Sequence, residues 1–85
     1  METGLFRELE HHLKQGRDHE ALQLVHIELS KTPNDWNSLY LVAWVYRSLD
    51  RYAEAEEYYK KSLAVKSDAY PTHLGLGITY QLMED

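Results

Sequence analysis

The stretch that decides the fold is "WNSLYLVAWVYRSLDRYAEAEEYYKKSLAVKSDA", residues 36–69. Its first half places Leu39, Val42 and Tyr46 at intervals of three and four residues, which is typical of the apolar stripe of an amphipathic helix. Its second half is rich in alanine, glutamate and lysine, which are good helix formers. We expect Asp50, between the halves, to end one helix and cap the next. The stretch therefore predicts a helical hairpin.

The segments on either side of this stretch are helical as well. Upstream, Gly16 separates two short amphipathic helices, because glycine readily takes the left-handed conformation at a helix C-terminus. Asp18 is expected to start the second of these helices, and Asp35 to cap the third. Downstream, Asp68 is expected to cap a helix that has Pro71 in its first turn. The sequence predicts five helices and no strands.

The chain aligns with itself when it is shifted by 34 residues. The pairs that coincide are Leu5 with Leu39, Phe6 with Tyr40, Gly16 with Asp50, Ala21 with Ala55, Val25 with Tyr59 and Leu29 with Leu63. A second shift of the same length carries Ala43 onto Gly77 and Tyr46 onto Tyr80. Helical hairpins that recur at a fixed period cannot bury their apolar faces alone, so they stack on one another.

This period and these residues resemble the tetratricopeptide repeats, a family of stacked helical hairpins. Within residues 36–69, Leu39 stands where the family usually has tryptophan, and Val42 and Ala43 replace its Leu-Gly pair. The positions that match the family outright or by type are Tyr46, Tyr52, Ala55, Tyr59 and Leu63. Ser67 stands where the family usually has a closing proline. The resemblance implies an all-α fold, a right-handed α-α superhelix (solenoid) built from antiparallel helical hairpins with five helices.

The resemblance also implies a division of the chain. Residues 2–35 would form a degenerate first repeat and residues 36–69 the second. Residues 70–85 would be the first helix of a third repeat, acting as a cap or as a truncated repeat. All three parts would belong to one structural domain.

Members of the family bind proteins and peptides on a concave face, built mainly from the first helix of each repeat. In this chain the first-helix residues outside the core stripe are unusually apolar. Those expected to form a partner-binding groove are Phe6, Glu10, Tyr40, Leu41, Trp44, Arg47, Leu74 and Ile78. Aromatic residues and arginine often dominate the energetics of interfaces. We predict a non-enzymatic protein–protein interaction module that binds a hydrophobic peptide or an amphipathic helix through apolar anchors.

Two alternatives remain open at this level. Tyr40 and Trp44 could belong to the internal core rather than to a groove. The segment "HLGLGITYQLMED", residues 73–85, is strongly apolar, and no polar capping helix follows it. An apolar face of this kind has to be covered. The alternative function is therefore self-assembly, as a homodimer through the C-terminal helix or by exchange of that helix, or the chain is a fragment of a longer scaffold.

Composition disfavours several other functions. The chain carries 14 acidic and 9 basic residues, a net charge of −5, which argues against nucleic-acid binding. It has no cysteine, so neither a disulfide nor a cysteine-based zinc site is expected. The longest apolar run, residues 39–46, is far shorter than the roughly 20 residues that span a bilayer. No membrane insertion is expected, and without a secretory signal we expect a cytoplasmic location.

Specific chemical sites are not expected either. The adjacent His11 and His12 diverge by about 100° on a helix, so they cannot share a metal ion. No catalytic motif or phosphate-binding loop is present, and neither an enzyme, a catalytic residue nor a cofactor is predicted. Chaperone-binding members of the family hold acidic tails with Lys, Asn and Arg. The corresponding positions here are Phe6, Glu10, Leu41, Pro71 and Gly75, so binding to the tails of Hsp70 or Hsp90 is not expected.

Overall fold

The structure, a computed structural model, describes residues 2–84, and all regular secondary structure in that range is helical. The helices are α1 (Glu2–Lys14), α2 (Asp18–Lys31), α3 (Trp36–Ser48), α4 (Tyr52–Val65) and α5 (Tyr70–Met83). Consecutive helices pack against each other, and α3 also contacts α5. The predicted all-α fold with five helices is confirmed. None of these helices combines the length and the hydropathy that a membrane-crossing segment requires.

The turns inside the two hairpins share one backbone conformation. Gly16 has a φ of 72° and Asp50 has a φ of 63°, so both residues are left-handed. The backbone N–H after each of them donates to a carbonyl five residues earlier, at 2.8 Å in the first turn and 2.9 Å in the second. Glycine adopts this conformation at little cost, and aspartate tolerates it better than most residues. The 34-residue repeat of the sequence is therefore also a repeat of backbone geometry.

Only one of the predicted aspartate N-caps is formed. The Asp35 carboxylate accepts a hydrogen bond from the Ser38 backbone N–H at 3.0 Å. The predictions for Asp18, Asp50 and Asp68 are wrong, since no side chain caps α2, α4 or α5. Asp18 already lies in the first turn of α2, where its charge still favours the positive end of the helix dipole. The other two aspartates lie one residue before the caps, in the connecting turns.

The core consists of two clusters of buried residues. The first core cluster lies among α1, α2 and α3 and contains Leu9, Ala21, Val25, Leu41, Val42 and Val45. The second core cluster joins α3 to α4 and contains Ala43, Ala55 and Tyr59, with Leu76 of α5 packed against it. Ala43 and Ala55 have no exposed surface. Such small residues let two helices approach closely, and Tyr59 fills the space beside them.

The repeated tyrosines do not share one environment. Tyr59 is fully buried, as expected of a core residue. Tyr46 is half-buried, and its hydroxyl lies 3.0 Å from Nε2 of His26. Tyr80 is the most exposed of the three, since 40% of it is exposed, and its hydroxyl donates to the Glu56 carboxylate at 2.9 Å.

A pair of buried hydroxyl groups links three helices. The Ser62 hydroxyl of α4 donates to the backbone carbonyl of Trp36 at 2.9 Å. The same oxygen lies 3.0 Å from the hydroxyl of Thr72 in α5. Ser62 and Thr72 have no exposed surface, so this contact satisfies polar atoms that would otherwise be costly to bury.

We expect Ala55→Leu to lower the free energy of unfolding by about 1–3 kcal/mol through overpacking. The cause is the absence of free space beside Ala43 and Tyr59 at the crossing of α3 and α4. Urea denaturation followed by far-UV circular dichroism measures the change. Ala53→Leu is the matched control, because Ala53 is exposed on the same helix, and it should stay within about 0.5 kcal/mol of the parent. An Ala55→Leu variant as stable as the parent would contradict the packing of this crossing.

Candidate functional site

An aromatic pair joins α1 to α3. The rings of Phe6 and Trp44 have centroids 4.7 Å apart and are tilted by 33°. Phe6 is 38% exposed, whereas Trp44 is half-buried and also packs against the first core cluster. Glu10, one turn after Phe6 on α1, is half-buried. Trp44 therefore belongs to the core on one side and to the surface on the other.

A second feature is a cavity of about 290 Å³ between α3 and α5. Four of the predicted groove residues line it: Tyr40, Arg47, Leu74 and Ile78. Tyr70, Pro71 and Gly75 complete the lining and were not predicted as groove residues. Tyr70 and Leu74 are 72% and 52% exposed, so the cavity has an apolar rim that is open to solvent.

Leu41, which was also predicted as a groove residue, is a core residue in the structure. It is only 7% exposed and lies in the first core cluster. Its remaining surface faces another cavity of about 420 Å³, which Glu28 and Ser38 also line. Adjacent helical residues diverge by about 100°, so Leu41 cannot share the orientation of Tyr40. The assignment of Leu41 to an accessible groove is corrected accordingly.

Tyr59 packs against two residues that line the cavity, Tyr40 and Gly75. Its ring centroid lies 6.0 Å from that of Tyr40, and a Cβ added at Gly75 would lie 2.6 Å from its Cζ atom. Burial raises the pKa of the Tyr59 phenol to about 12, although the nearby Arg47 charge acts in the opposite direction. The hydroxyl has no hydrogen-bond partner within the described part of the chain. Only the absence of a side chain at Gly75 makes room for this ring.

The comparison with known families agrees with this geometry. Residues 36–69 match the family model described as "Tetratricopeptide repeat". This stretch therefore has the pattern of one tetratricopeptide repeat. The match covers α3 and α4, and the order of the five helices is consistent with an array of such repeats. A search of curated proteins gave no significant match.

The repeat identifies the general class of function. Tetratricopeptide repeats are protein–protein interaction modules built on a non-enzymatic fold. In this repeat the half-buried Arg47 lies on the first helix, at the edge of the cavity. Among the side chains that the structure describes, no carboxylate forms a salt bridge with it. Its N–H donors are therefore available to a carboxylate or a carbonyl of a partner.

His26 and His73 make hydrogen-bonding contacts inside the protein, and neither of them lines the cavity. His26 contacts the Tyr46 hydroxyl, and the Nε2 atom of His73 lies 2.7 Å from the Ser67 carbonyl, to which it donates. No group of three His, Asp or Glu residues in the described range is arranged to hold a metal ion. The lining residues that the sequence analysis did not assign to the groove are Tyr70, Pro71 and Gly75. The close contact of Tyr59 with Gly75 was not predicted either.

The two glycines of α5 should respond in opposite ways to alanine. We expect Gly75→Ala to lower the free energy of unfolding by about 1–3 kcal/mol, because the new Cβ overlaps the buried ring of Tyr59. Gly77→Ala is the matched control, since a Cβ there meets nothing within 4 Å, and it should raise that free energy by about 0.4–1 kcal/mol. Urea denaturation of both variants tests the pair. Equal effects would contradict the close contact at Gly75.

Tyr59 should make the protein less stable at high pH. Below pH 10 the phenol is protonated in both the folded and the unfolded state, so its contribution is constant. Between its ordinary pKa of 10.0 and about 12, the unfolded chain loses the proton while the folded chain keeps it. The free energy of unfolding therefore falls across that range. The raised pKa values of Tyr46 and Tyr52 act in the same direction, so a variant is needed to isolate Tyr59.

Tyr59→Phe supplies that comparison. At neutral pH we expect its free energy of unfolding to equal that of the parent or exceed it by up to about 1 kcal/mol, because the lost hydroxyl is buried without a partner. Above pH 10 its stability should fall less steeply than that of the parent. Denaturation measured over a series of pH values tests both points. Identical slopes would show that the Tyr59 phenol ionises as it does in the unfolded chain.

Proposed function

We propose that this chain binds an apolar segment of a partner protein in a groove formed by α1, α3 and α5. The observation that carries the proposal is the cavity between α3 and α5, which brings Tyr40 and Arg47 together with Leu74 and Ile78. These four residues come from helices that are 34 residues apart in the repeat. The groove is therefore a product of the stacking of repeats and does not belong to one hairpin.

The groove continues from the cavity towards α1. Tyr40, Trp44 and Arg47 follow one another at helical spacing, so they lie along the same side of α3. Trp44 then contacts Phe6 across the boundary between α1 and α3. This continuity gives an aromatic surface with a deeper pocket at the α5 end. Such a surface suits an amphipathic helix or a hydrophobic peptide that inserts one large side chain into the pocket.

The residue types that line the proposed groove are those typical of protein–protein interfaces. Aromatic residues and arginine are the side chains that most often dominate binding energy. Leu74 and Phe6 are partly exposed, and both would lose contact with water when a partner binds. Arg47 at the edge would pair with a polar group of the partner and fix its orientation. Residues 2–35 and 70–85 act in this proposal as the flanking units that complete the walls.

Peptides selected from a random phage-displayed library on the immobilised chain provide the ligand for a direct test. We expect Leu74→Glu to weaken binding of the selected peptides at least about tenfold, because it places a charge at the rim of the apolar pocket. Ile27→Glu is the matched control, since Ile27 is 49% exposed on α2, outside the cavity. Titration calorimetry gives both affinities. Equal affinities for the two variants would reject the groove as the binding site.

Trp44→Ala separates the two roles of Trp44. If it lies in the interface, the variant should lose both thermal stability and peptide affinity, because its ring packs on the core and on Phe6. Binding is compared with that of the parent at a temperature where both proteins are fully folded. A variant that unfolds at lower temperature but binds the selected peptides normally would assign Trp44 to the core alone.

A further inference from the structure

A second cavity, of about 420 Å³, lies where the end of α2 meets the start of α3, and we name it the α2/α3 cavity. Its lining includes Leu5, Glu28, Thr32, Asp35, Ser38 and Leu41. It shares no lining residue with the cavity between α3 and α5, and none of the described residues that line it is basic. The α2/α3 cavity is therefore a separate site with an acidic lining.

The 34-residue period shows how this place differs from the equivalent place in the next repeat. Glu28 corresponds to Ser62, and Ser38 corresponds to Thr72. The hydroxyls of Ser62 and Thr72 lie 3.0 Å apart and have no exposed surface, so α4 and α5 are in direct contact there. At the equivalent place one repeat earlier, the half-buried Glu28 has a longer, charged side chain, and the Ser38 hydroxyl bonds elsewhere. A polar cavity stands in place of the closed contact.

The hydroxyl protons at the α2/α3 cavity are used within the protein. Because a carboxylate can only accept, the Ser38 hydroxyl donates to Oδ2 of Asp35 at 3.2 Å. In its 2.6 Å contact with the Thr32 hydroxyl, Ser38 is then the acceptor. The Ser38 backbone N–H donates to the same Asp35 oxygen, so Oδ1 keeps its capacity to accept. These side chains, together with the Glu28 carboxylate, therefore offer acceptors to a ligand, and the ligand that matches them is rich in donors.

Charge and shape favour a long, cationic ligand. Lys31 lies 3.9 Å from the Glu28 carboxylate and its side chain is 67% exposed, and exposed pairs of this kind contribute little. Asp35 offsets the positive end of the α3 dipole as its cap, so Glu28 supplies the negative charge that lacks a close counterpart. Leu5 and Leu41 add apolar surface to the lining, on which the aliphatic stem of a basic side chain can pack.

We infer that the α2/α3 cavity binds an arginine side chain of a partner protein. The stem packs on Leu5 and Leu41, and the guanidinium donates to the Glu28 carboxylate and to Oδ1 of Asp35. A guanidinium presents five N–H donors in one plane, which matches several separate acceptors better than a compact ammonium does. A metal ion fits less well, because residues 2–84 contain no group of three His, Asp or Glu placed to hold one. The site is independent of the proposed groove.

Propylguanidinium, which has the stem and the head of an arginine side chain, is the probe. It is titrated into the full chain, and backbone amide signals are followed by ¹⁵N–¹H correlation NMR. We expect saturable shifts of the signals of Thr32, Asn37 and Ser38 at millimolar probe concentrations. Propylurea is the matched probe, since it has nearly the same shape without the charge, and it should bind at least about tenfold more weakly.

Glu28→Gln should weaken the binding of propylguanidinium at least about fivefold, because it removes the charge at nearly constant shape. Glu57→Gln is the matched control. Glu57 forms the same kind of exposed pair, with Lys61 on α4, and does not line the cavity. This variant should bind the probe as the parent does. Far-UV circular dichroism verifies that both variants keep the helix content of the parent.

Three results would overturn this inference. Shifts that do not saturate, or binding that Glu28→Gln and Glu57→Gln weaken equally, would show nonspecific attraction of cations to an acidic chain. Equal binding of propylurea or of propylammonium would show that the cavity does not select a guanidinium. Saturable binding of Ca²⁺ at the same signals, in competition with the probe, would assign the cavity to a metal ion. Leu74→Glu should bind the probe as the parent does, which separates a failure of this site from a failure of the groove.

Discussion

The close crossing of α3 and α4 at Ala43 and Ala55 is the constraint on which the other features of the molecule depend. The small side chains of Ala43 and Ala55 let α3 and α4 approach closely at this crossing, and Tyr59 packs beside them. The opposite side of α3 packs on the first core cluster through Val42 and Val45. Because α3 is covered on these sides, the side that carries Tyr40, Trp44 and Arg47 is the one left for contacts with other molecules. The position of the groove is thus a consequence of core packing.

Much of this arrangement follows from sequence spacing alone. The helices and the turn at Gly16 are predicted because period, glycine and helix propensity all favour the same structure. The aspartate caps are less predictable, since a shift of one residue removes an aspartate such as Asp68 from the capping position. The error at Leu41 has the same cause. Adjacent positions on a helix differ in direction by about 100°, so Tyr40 faces the groove while Leu41 faces the core. Whether Tyr80 is covered depends on a neighbouring element rather than on local sequence.

The packing beside Gly75, one of the residues that line the cavity, reflects a compensating change between repeats. In the first core cluster, Val25 of α2 packs with Leu41 of α3. One period later the same two positions hold Tyr59 and Gly75, and the tyrosine ring takes the space that a side chain at Gly75 would need. Side-chain volume is thus exchanged within the pair: the second position holds a leucine in one repeat and a glycine in the next, while the first position changes from valine to tyrosine. A well-packed core tolerates such an exchange when the total volume is kept. Pattern matching treats each position separately, so it identifies neither the exchange nor the pocket that forms over the glycine.

The hydroxyl of Ser62 has a consequence for how the chain unfolds. In a linear array of repeats, each unit contacts only its neighbours, so partial unfolding often begins at a terminal unit. Here a single oxygen joins the start of α3 to the start of α5, through the Trp36 carbonyl and Thr72. Loss of α5 would expose that buried polar pair to water and remove one of its bonds. Buried polar atoms therefore contribute to the cooperative unfolding of α5 with the hairpin of α3 and α4. The apolar pattern of the sequence does not indicate this contribution.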